Sequence, residues 1–335
     1  MTTHPDIELS GDAEAQRWNY RPAVPIPVNP LFLWPLNLRA VIAWYRGAWF
    51  QIAAGSVSLV LALIGWLVFL PPLEQMQSFH ASWIFRLWLM NIGAQTLVAG
   101  GLHWWLYMRK GQGLAKKFEK RDLARSNGIF TFNNQVLDNI WWTLGSAMTV
   151  ATLYQSLIFW AMANGFVPVI TFAAHPVWFV IWMALIPMWS SAHFYWTHRL
   201  EHSPRLYKHV HAVHHRNVNT GPWSGISNHW FENILYFTTY FIHLIVPSHP
   251  VHLLFHAAFQ QCTPAMSHSG FERVVVDERE VARTGDFFHQ LHHRYFECNY
   301  GTSEIPFDKW FGTFHDGSED ATRRTRAHKK QMYTK

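Results

Sequence analysis

Residues 139–198 contain no Asp, Glu, Lys or Arg, and residues 233–271 form a second run without one. These runs, 60 and 39 residues long, constrain the fold more than any single motif. A hydrocarbon core takes roughly 20 apolar residues per helix, so the first run has room for two spans. Buried helices of soluble domains can also lack charge, but average only ~10–14 residues. Charged residues make up 14% of the 335-residue chain, against about 25% in ordinary soluble domains. The chain therefore reads as an integral membrane protein.

Four spans are expected, at 52–70, 87–108, 140–163 and 167–189. Pro71 and Pro72 end the first, and a turn at Asn164-Gly165 joins the last two. The stretch 109–125 carries seven basic residues against two acidic ones. Short loops rich in Lys and Arg stay cytosolic, so the N-terminus, the loop 109–139 and everything past residue 190 are expected on that side. Basic residues there meet anionic headgroups, which accounts for the net charge of +6 without a nucleic-acid partner. Residues 1–29 lack the basic start and apolar core of a cleaved signal peptide and read as a loose lead-in. The apolar pieces 234–246 and 251–266, parted by Pro247-Ser248-His249-Pro250, are too short to cross comfortably and read as re-entrant or interfacial helices. The tail 322–335 adds six basic residues and reads as disordered or surface-bound. Cys262 and Cys298 form no CxxC and no disulfide framework.

The expected fold is all-α: a polytopic membrane protein of four transmembrane helices under a cytosolic, histidine-rich helical cap. Its divisions are 1–48, an N-terminal cytosolic or interfacial segment; 49–139, a first transmembrane hairpin with the basic loop; 140–316, a catalytic domain; and 317–335, a basic tail.

Sixteen of the 22 histidines fall between residues 193 and 293. His198 and His202, in HRLEH, are four apart and share a helix face. His211, His214 and His215, in HAVHH, stand at i, i+3 and i+4, and His289, His292 and His293, in HQLHH, repeat the pattern. One HxxxH occurs often by chance; this combination does not. Eight box imidazoles exceed what one catalytic zinc uses, typically three protein ligands and an open position. They suggest two metals. Imidazole suits iron, copper and zinc, and a neutral all-nitrogen shell around two irons favours oxygen activation over hydrolysis. His103 and His175 sit singly in expected spans. His243, His249, His252 and His256 read as interfacial, and His4, His80, His315 and His328 as surface residues.

The stretch FYWTHRLEH…YKHVHAVHH, then HxxE at 229–232, HSG at 268–270 and HQLHHRYFECNYG…FDKWFGT resembles the fatty acid hydroxylase/sterol desaturase superfamily over about residues 140–315. The resemblance implies a non-haem di-iron centre at the cytosolic face of a four-helix membrane bundle. Its ligands would be His198, His202, His211, His214, His215, His289, His292 and His293. His268 matches the HSG histidine as a further ligand. His229 matches the histidine of an HPxE segment in which Trp230 replaces the proline, and stands as another candidate. Asn299, in Asn299-Tyr300-Gly301, matches the tail that shapes the site. Ser190 and Ser191 replace acidic residues common in sterol-acting members, and His193 allows the first box to be read as HxxxxH, as in fatty acid 2-hydroxylases. Sterol and fatty acyl substrates both stay open.

The expected activity is O2-dependent hydroxylation or desaturation of a lipid C–H bond in lipid biosynthesis. Two iron ions and O2 take part, with electrons from a separate carrier, a ferredoxin or cytochrome b5 with its reductase. Glu201, Glu232 and Asp286 are candidates to orient ligating imidazoles by accepting their second N–H. The rival expectation is a membrane metal-binding or transport protein using the same histidines. A bacterial inner membrane is favoured over the endoplasmic reticulum, with the active site on the cytosolic face.

Overall fold

The computed structural model describes residues 18–49 and 51–333. Nearly all of its regular structure is helical. After α1 (Leu38–Trp49) come α2 (Ala54–Phe69) and two long helical runs, α3 (81–108) and α4 (135–163). The pitch of both runs widens in π-type turns at Thr96–Gly100, Trp104–Met108 and Trp141–Ala147. Next are α5 (Pro176–Glu201), α6 (204–215) and α7 (Trp230–Phe237), which continues as a 3-10 turn over Thr238–Leu244. The rest comprises α8 (Pro250–Ser267), α9 (Phe287–Tyr295), α10 (Phe307–Trp310) and α11 (Glu319–Tyr333).

Among the described residues, α5 alone is a helix long and apolar enough to cross a bilayer by itself; α2 is apolar but shorter. Val177, Val180, Ile181 and Leu185 on α5 are exposed, as a lipid-facing surface requires. The helix starts later than the expected fourth span, at Pro176, whose fixed φ suits a first turn. Residues 167–175 are held out of it, with the Ile170 N–H donating to the Ser248 carbonyl at 3.2 Å. The helix then runs past residue 189 to Glu201, so the first histidine box falls at its C-terminal end.

Of the two segments expected at the interface, 251–266 lies inside the molecule, whereas 234–246 is partly buried, with Ile234 and Ile245 exposed. On α8, Leu253, Phe255, Cys262 and Ala265 are fully buried, and the helix is packed against α2, α3, α4 and α5. It is the central strut of the bundle. His243, His252 and His256 are accordingly buried and not interfacial. His315 is also buried, its Nε2 3.1 Å from Thr322 Oγ1, whereas His175 is exposed at the start of α5.

Two further expectations change. Residues 18–29 pack on the catalytic half, with Trp18 5.1 Å from Phe287 ring to ring and the Ile26 N–H donating to the Asp316 carbonyl at 2.9 Å; residues 1–17 lie outside the described part. The tail is helical, as α11. One antiparallel hairpin, β1 (Arg273–Val276) and β2 (Arg279–Arg283), joins a fold that is otherwise all-α as expected. Its turn residues Asp277 and Glu278 both have positive φ, the geometry of tight two-residue hairpins. Cys262 and Cys298 are free and buried.

Candidate metal centre

Three helices and one helix end bring nine histidines together. The last turn of α5 carries His198, and His202 follows as its C-cap. α6 carries His211, His214 and His215, α9 carries His289, His292 and His293, and His268 caps the end of α8. They fall into two sets whose ligand atoms lie within 4.8 Å of one another: His198, His202, His211, His215 and His292, then His214, His268, His289 and His293. The two sets interleave. On α6 the i and i+4 histidines join the first set and the i+3 histidine joins the second. On α9 the assignment is reversed. An HxxHH motif thus serves two adjacent centres from one helix, which explains its value over a plain HxxxH.

The ring nitrogens show what these sets fit. His198, His292 and His268 each place Nδ1 near a backbone carbonyl, of Tyr300 at 2.6 Å, Cys298 at 2.6 Å and Pro264 at 2.9 Å. Nδ1 must therefore carry the proton, leaving Nε2 a bare lone pair turned inward. Inside, His215 Nε2 is 3.1 Å from His202 Nε2 and 3.0 Å from His292 Nε2. His293 Nε2 is 3.1 Å from His214 Nε2 and 3.0 Å from His268 Nε2. One N–H satisfies one acceptor, so proton sharing leaves lone pairs facing each other in both sets. Nδ1 of His202, His215 and His293 has no partner among the described residues. A cation in each set removes the repulsion, and neutral imidazole suits iron, copper or zinc. Burial keeps the rings neutral: His214, His215, His289, His292 and His293 lie well below the usual histidine range, with neighbouring imidazoles adding to the effect. His268 falls to about 3, again through burial.

The expected orienting residues divide. Glu232 Oε1 lies 3.0 Å from His211 Nδ1, off the line of a straight hydrogen bond, and Glu201 Oε2 lies 3.9 Å away. Burial raises the Glu232 carboxyl well above its usual range, and Glu201 adds to the shift. Asp286 touches no imidazole; it caps α9 by accepting the Phe288 N–H at 3.1 Å. Asn299 donates to the carbonyls of Phe288 and His315 at 2.9 and 3.0 Å and so fixes the turn after the third box. His229 stands apart from both sets. It caps α7, with Nδ1 accepting the Phe231 N–H at 3.2 Å, and its ring lies 5.8 Å from that of Trp142. His193 also stays outside, with Nε2 2.9 Å from Thr238 Oγ1.

Sequence reasoning missed the supports. Asp308 accepts the N–H groups of Tyr300 and Gly301, both at 2.8 Å, and thereby fixes the carbonyl that orients His198. Arg216, next to the second box, pairs with Asp138 on α4. Gly270 of the HSG motif has φ +79, and a Cβ there would lie 2.3 Å from Tyr107 Oη; only glycine lets the chain turn away from His268. The FDKWFGT stretch held the signal for Asp308, but nothing in it showed which carbonyl the carboxylate serves.

A cavity of about 110 Å3 adjoins one face of the cage, lined by His198, His211, His214, His268 and His289 together with Phe194, Tyr236 and Phe259. Ser190, Gln260 and Thr263 also line it and hold buried side-chain atoms without partners among the described residues.

Residues 182–313 match the family model described as fatty acid hydroxylase. A Delta(7)-sterol 5(6)-desaturase of Gibberella zeae is 30% identical over 41% of this chain and 42% of its own length. A Delta(7)-sterol 5(6)-desaturase of Saccharomyces cerevisiae is 31% identical over 36% of this chain and 32% of its own. Methylsterol monooxygenase 1 of Gallus gallus is 31% identical over 36% and 41%. The chain thus spans less than half the length of each of these relatives. They are eukaryotic proteins and lend no support to the expected bacterial inner membrane. No solved structure matches.

Proposed function

From the match of residues 182–313 to the fatty acid hydroxylase family model, we propose that this protein is a member of the fatty acid hydroxylase/sterol desaturase superfamily, a membrane oxidoreductase that hydroxylates or desaturates a lipid C–H bond, with two iron ions held by its nine clustered histidines. The observation that carries the reading is the convergence of inward-facing Nε2 atoms into sets of five and four. When bound, the irons would supply the activation of O2.

The chain's own residues prepare the place. Carbonyls of Tyr300, Cys298 and Pro264 hold three rings in the tautomer that offers Nε2. The carboxyls of Glu201 and Glu232, buried on the cavity wall beside His211, are placed to hold a proton there. Phe194, Tyr236 and Phe259 offer an apolar wall to a lipid, and the cavity admits only part of one at a time. We read α2, α3, α4 and α5 as four spans, with the cage just beyond the end of α5 on the cytosolic side. A sterol is favoured over a fatty acid because the relatives named act on sterols. A transporter needs a path across the membrane; both histidine sets lie together at one end of the bundle.

The test is metal analysis of the full chain purified in mild detergent and loaded anaerobically with ferrous iron, beside a His292→Ala/His293→Ala variant. About two irons per chain, lost in the variant, followed by an oxidised lipid in membranes of expressing cells, is the expected result. A folded wild type that takes up zinc alone, or no metal, would overturn it.

A further inference from the structure

The cage has two unlike faces. One meets the cavity. The other, bearing His202 and His215, is faced by three aromatic rings that take no part in the cavity, among them Tyr300, 4.9 Å from the ring of His202. Phe296 lies 5.0 Å from the ring of His215, and Tyr207 lies 5.6 Å from His215 and 5.5 Å from His202. Phe296 is only partly buried, so one aromatic layer parts the five-histidine set from the surface. Its backbone has φ 70 and ψ −54, a region that bulky residues rarely adopt and that concentrates at functional sites. The strain holds the ring between the imidazole beneath and Lys329 above, whose Nζ lies 4.9 Å from the ring centre.

Lys329 belongs to α11, which is fastened to this same end of the molecule. Arg326 lies over Tyr295, and Tyr295 stacks on His315 at 4.9 Å. The helix carries Arg323, Arg324, Arg326, Lys329 and Lys330 against two acidic residues, both in its first turn. Arg324, Arg326 and Lys330 are exposed, as are Arg205 and Lys208 beside Tyr207, while Arg323 pairs with Asp320 on the same helix. A positive surface therefore surrounds the thinnest cover over the metal centre, on the side away from the cavity.

We propose that this surface docks an acidic one-electron carrier protein, whose electrons enter through Phe296 to the five-histidine set. The inference rests on the oxidoreductase reading above, which already calls for a separate electron carrier, and adds the carrier's charge and its place of contact. Hydroxylation turns one C–H bond and one O2 into an alcohol and one water, consuming two electrons and two protons; desaturation consumes the same and releases two waters. A one-electron carrier must therefore dock twice per turnover, losing one electron each time. Charge complementarity speeds such short-lived encounters and makes them sensitive to salt. A bilayer of anionic lipid also attracts basic helices, but the ring stack between this surface and the cage serves electron entry and has no use in lipid binding.

The test measures binding of the full chain, in nanodiscs of phosphatidylcholine or phosphatidylglycerol, to two acidic carriers: a plant-type [2Fe–2S] ferredoxin and the soluble domain of a cytochrome b5. Expected is a Kd for at least one carrier that weakens with salt, rises at least tenfold in Arg324→Glu/Lys330→Glu and several-fold in Arg324→Gln/Lys330→Gln. Binding needs no iron, so a chain without iron sinks the proposed function and leaves this result readable. With iron loaded, Phe296→Leu should slow reduction by the bound carrier at least tenfold while reduction by dithionite and iron content stay unchanged. Equal affinity of wild type and the charge-reversed variant, or no binding of either carrier, overturns the proposal. So does a variant whose only change is a lower Tm in phosphatidylglycerol discs, which assigns the surface to lipid.

Discussion

Two groups of buried histidines lie within one stretch of about 100 residues, and their partners set them apart. In the core group, His243 Nδ1 meets Ser248 Oγ at 2.8 Å, His243 Nε2 meets His256 Nδ1 at 3.1 Å, and His256 Nε2 meets Thr239 Oγ1 at 3.2 Å. Hydroxyls can donate or accept, so every nitrogen in that chain is satisfied by protons alone. In the cage, nitrogens meet other nitrogens, and Nδ1 protons on His198, His292 and His268 leave lone pairs opposed. Burial and histidine count are the same in kind; the chemistry of the neighbours separates a packing group from a ligand set.

The comparison breaks most sharply on substitution. His215→Ala should remove one iron or both, read by metal analysis of the loaded protein, because His215 Nε2 contacts two other set members. His243→Asn should leave iron unchanged and lower stability by about 1–3 kcal/mol, the usual loss for a broken buried hydrogen bond, read by thermal unfolding. Iron loss in His243→Asn, or full iron in His215→Ala, would erase the distinction.

A smaller effect is expected one layer out. Asp308→Ala frees the Tyr300 carbonyl that orients His198, without touching a ligand. Supporting partners of this kind change metal affinity by roughly 10–100-fold, and competition with a chelator measures the change. Asp308→Asn keeps part of the support and should fall between.

Acid sharpens the contrast in another way. Burial holds both His268 and His243 at about 3, below the ordinary histidine value of about 6.5. Folded-state rings resist protonation that unfolded ones accept, so their stability contribution is whole above about pH 6.5 and is lost as pH falls towards the folded values. The iron-free protein should show a flat Tm above neutrality and a decline below it. Iron should steepen that decline, since ligands must shed protons to bind, and His243→Gln should make it shallower with or without iron.

Much of the cage was legible in the chain, because helical spacing alone aims HRLEH, HAVHH and HQLHH inward. What spacing could not show is which neighbours a ring meets. His243 and His256 read as interfacial because the apolar pieces around them are short, yet α8 is enclosed by four helices, where a short helix needs no bilayer. His315 read as a surface residue because nothing near it in the sequence announces that α11 folds back over Tyr295. The supports of the second box, Asp138 with Arg216 and Gln135 and Asn139 with Asn217, join residues some 80 positions apart, beyond the reach of any local pattern.

His229 gives the finest test of the same contrast. Motif matching places it among the ligands, and the folded chain places it at the start of α7 with its Nδ1 occupied by the Phe231 N–H. Its other nitrogen has no imidazole cluster to join, since the ring faces Trp142 and neither metal set includes it. A capping side chain contributes about 0.5–2 kcal/mol. His229→Ala should therefore keep the full iron content and lose stability on that scale, and His229→Asn, which can still cap, should recover most of it. If His229→Ala instead lost iron, α7 would have to shift on metal binding so that its first turn reaches the cage, and the two-set arrangement would be one ligand short.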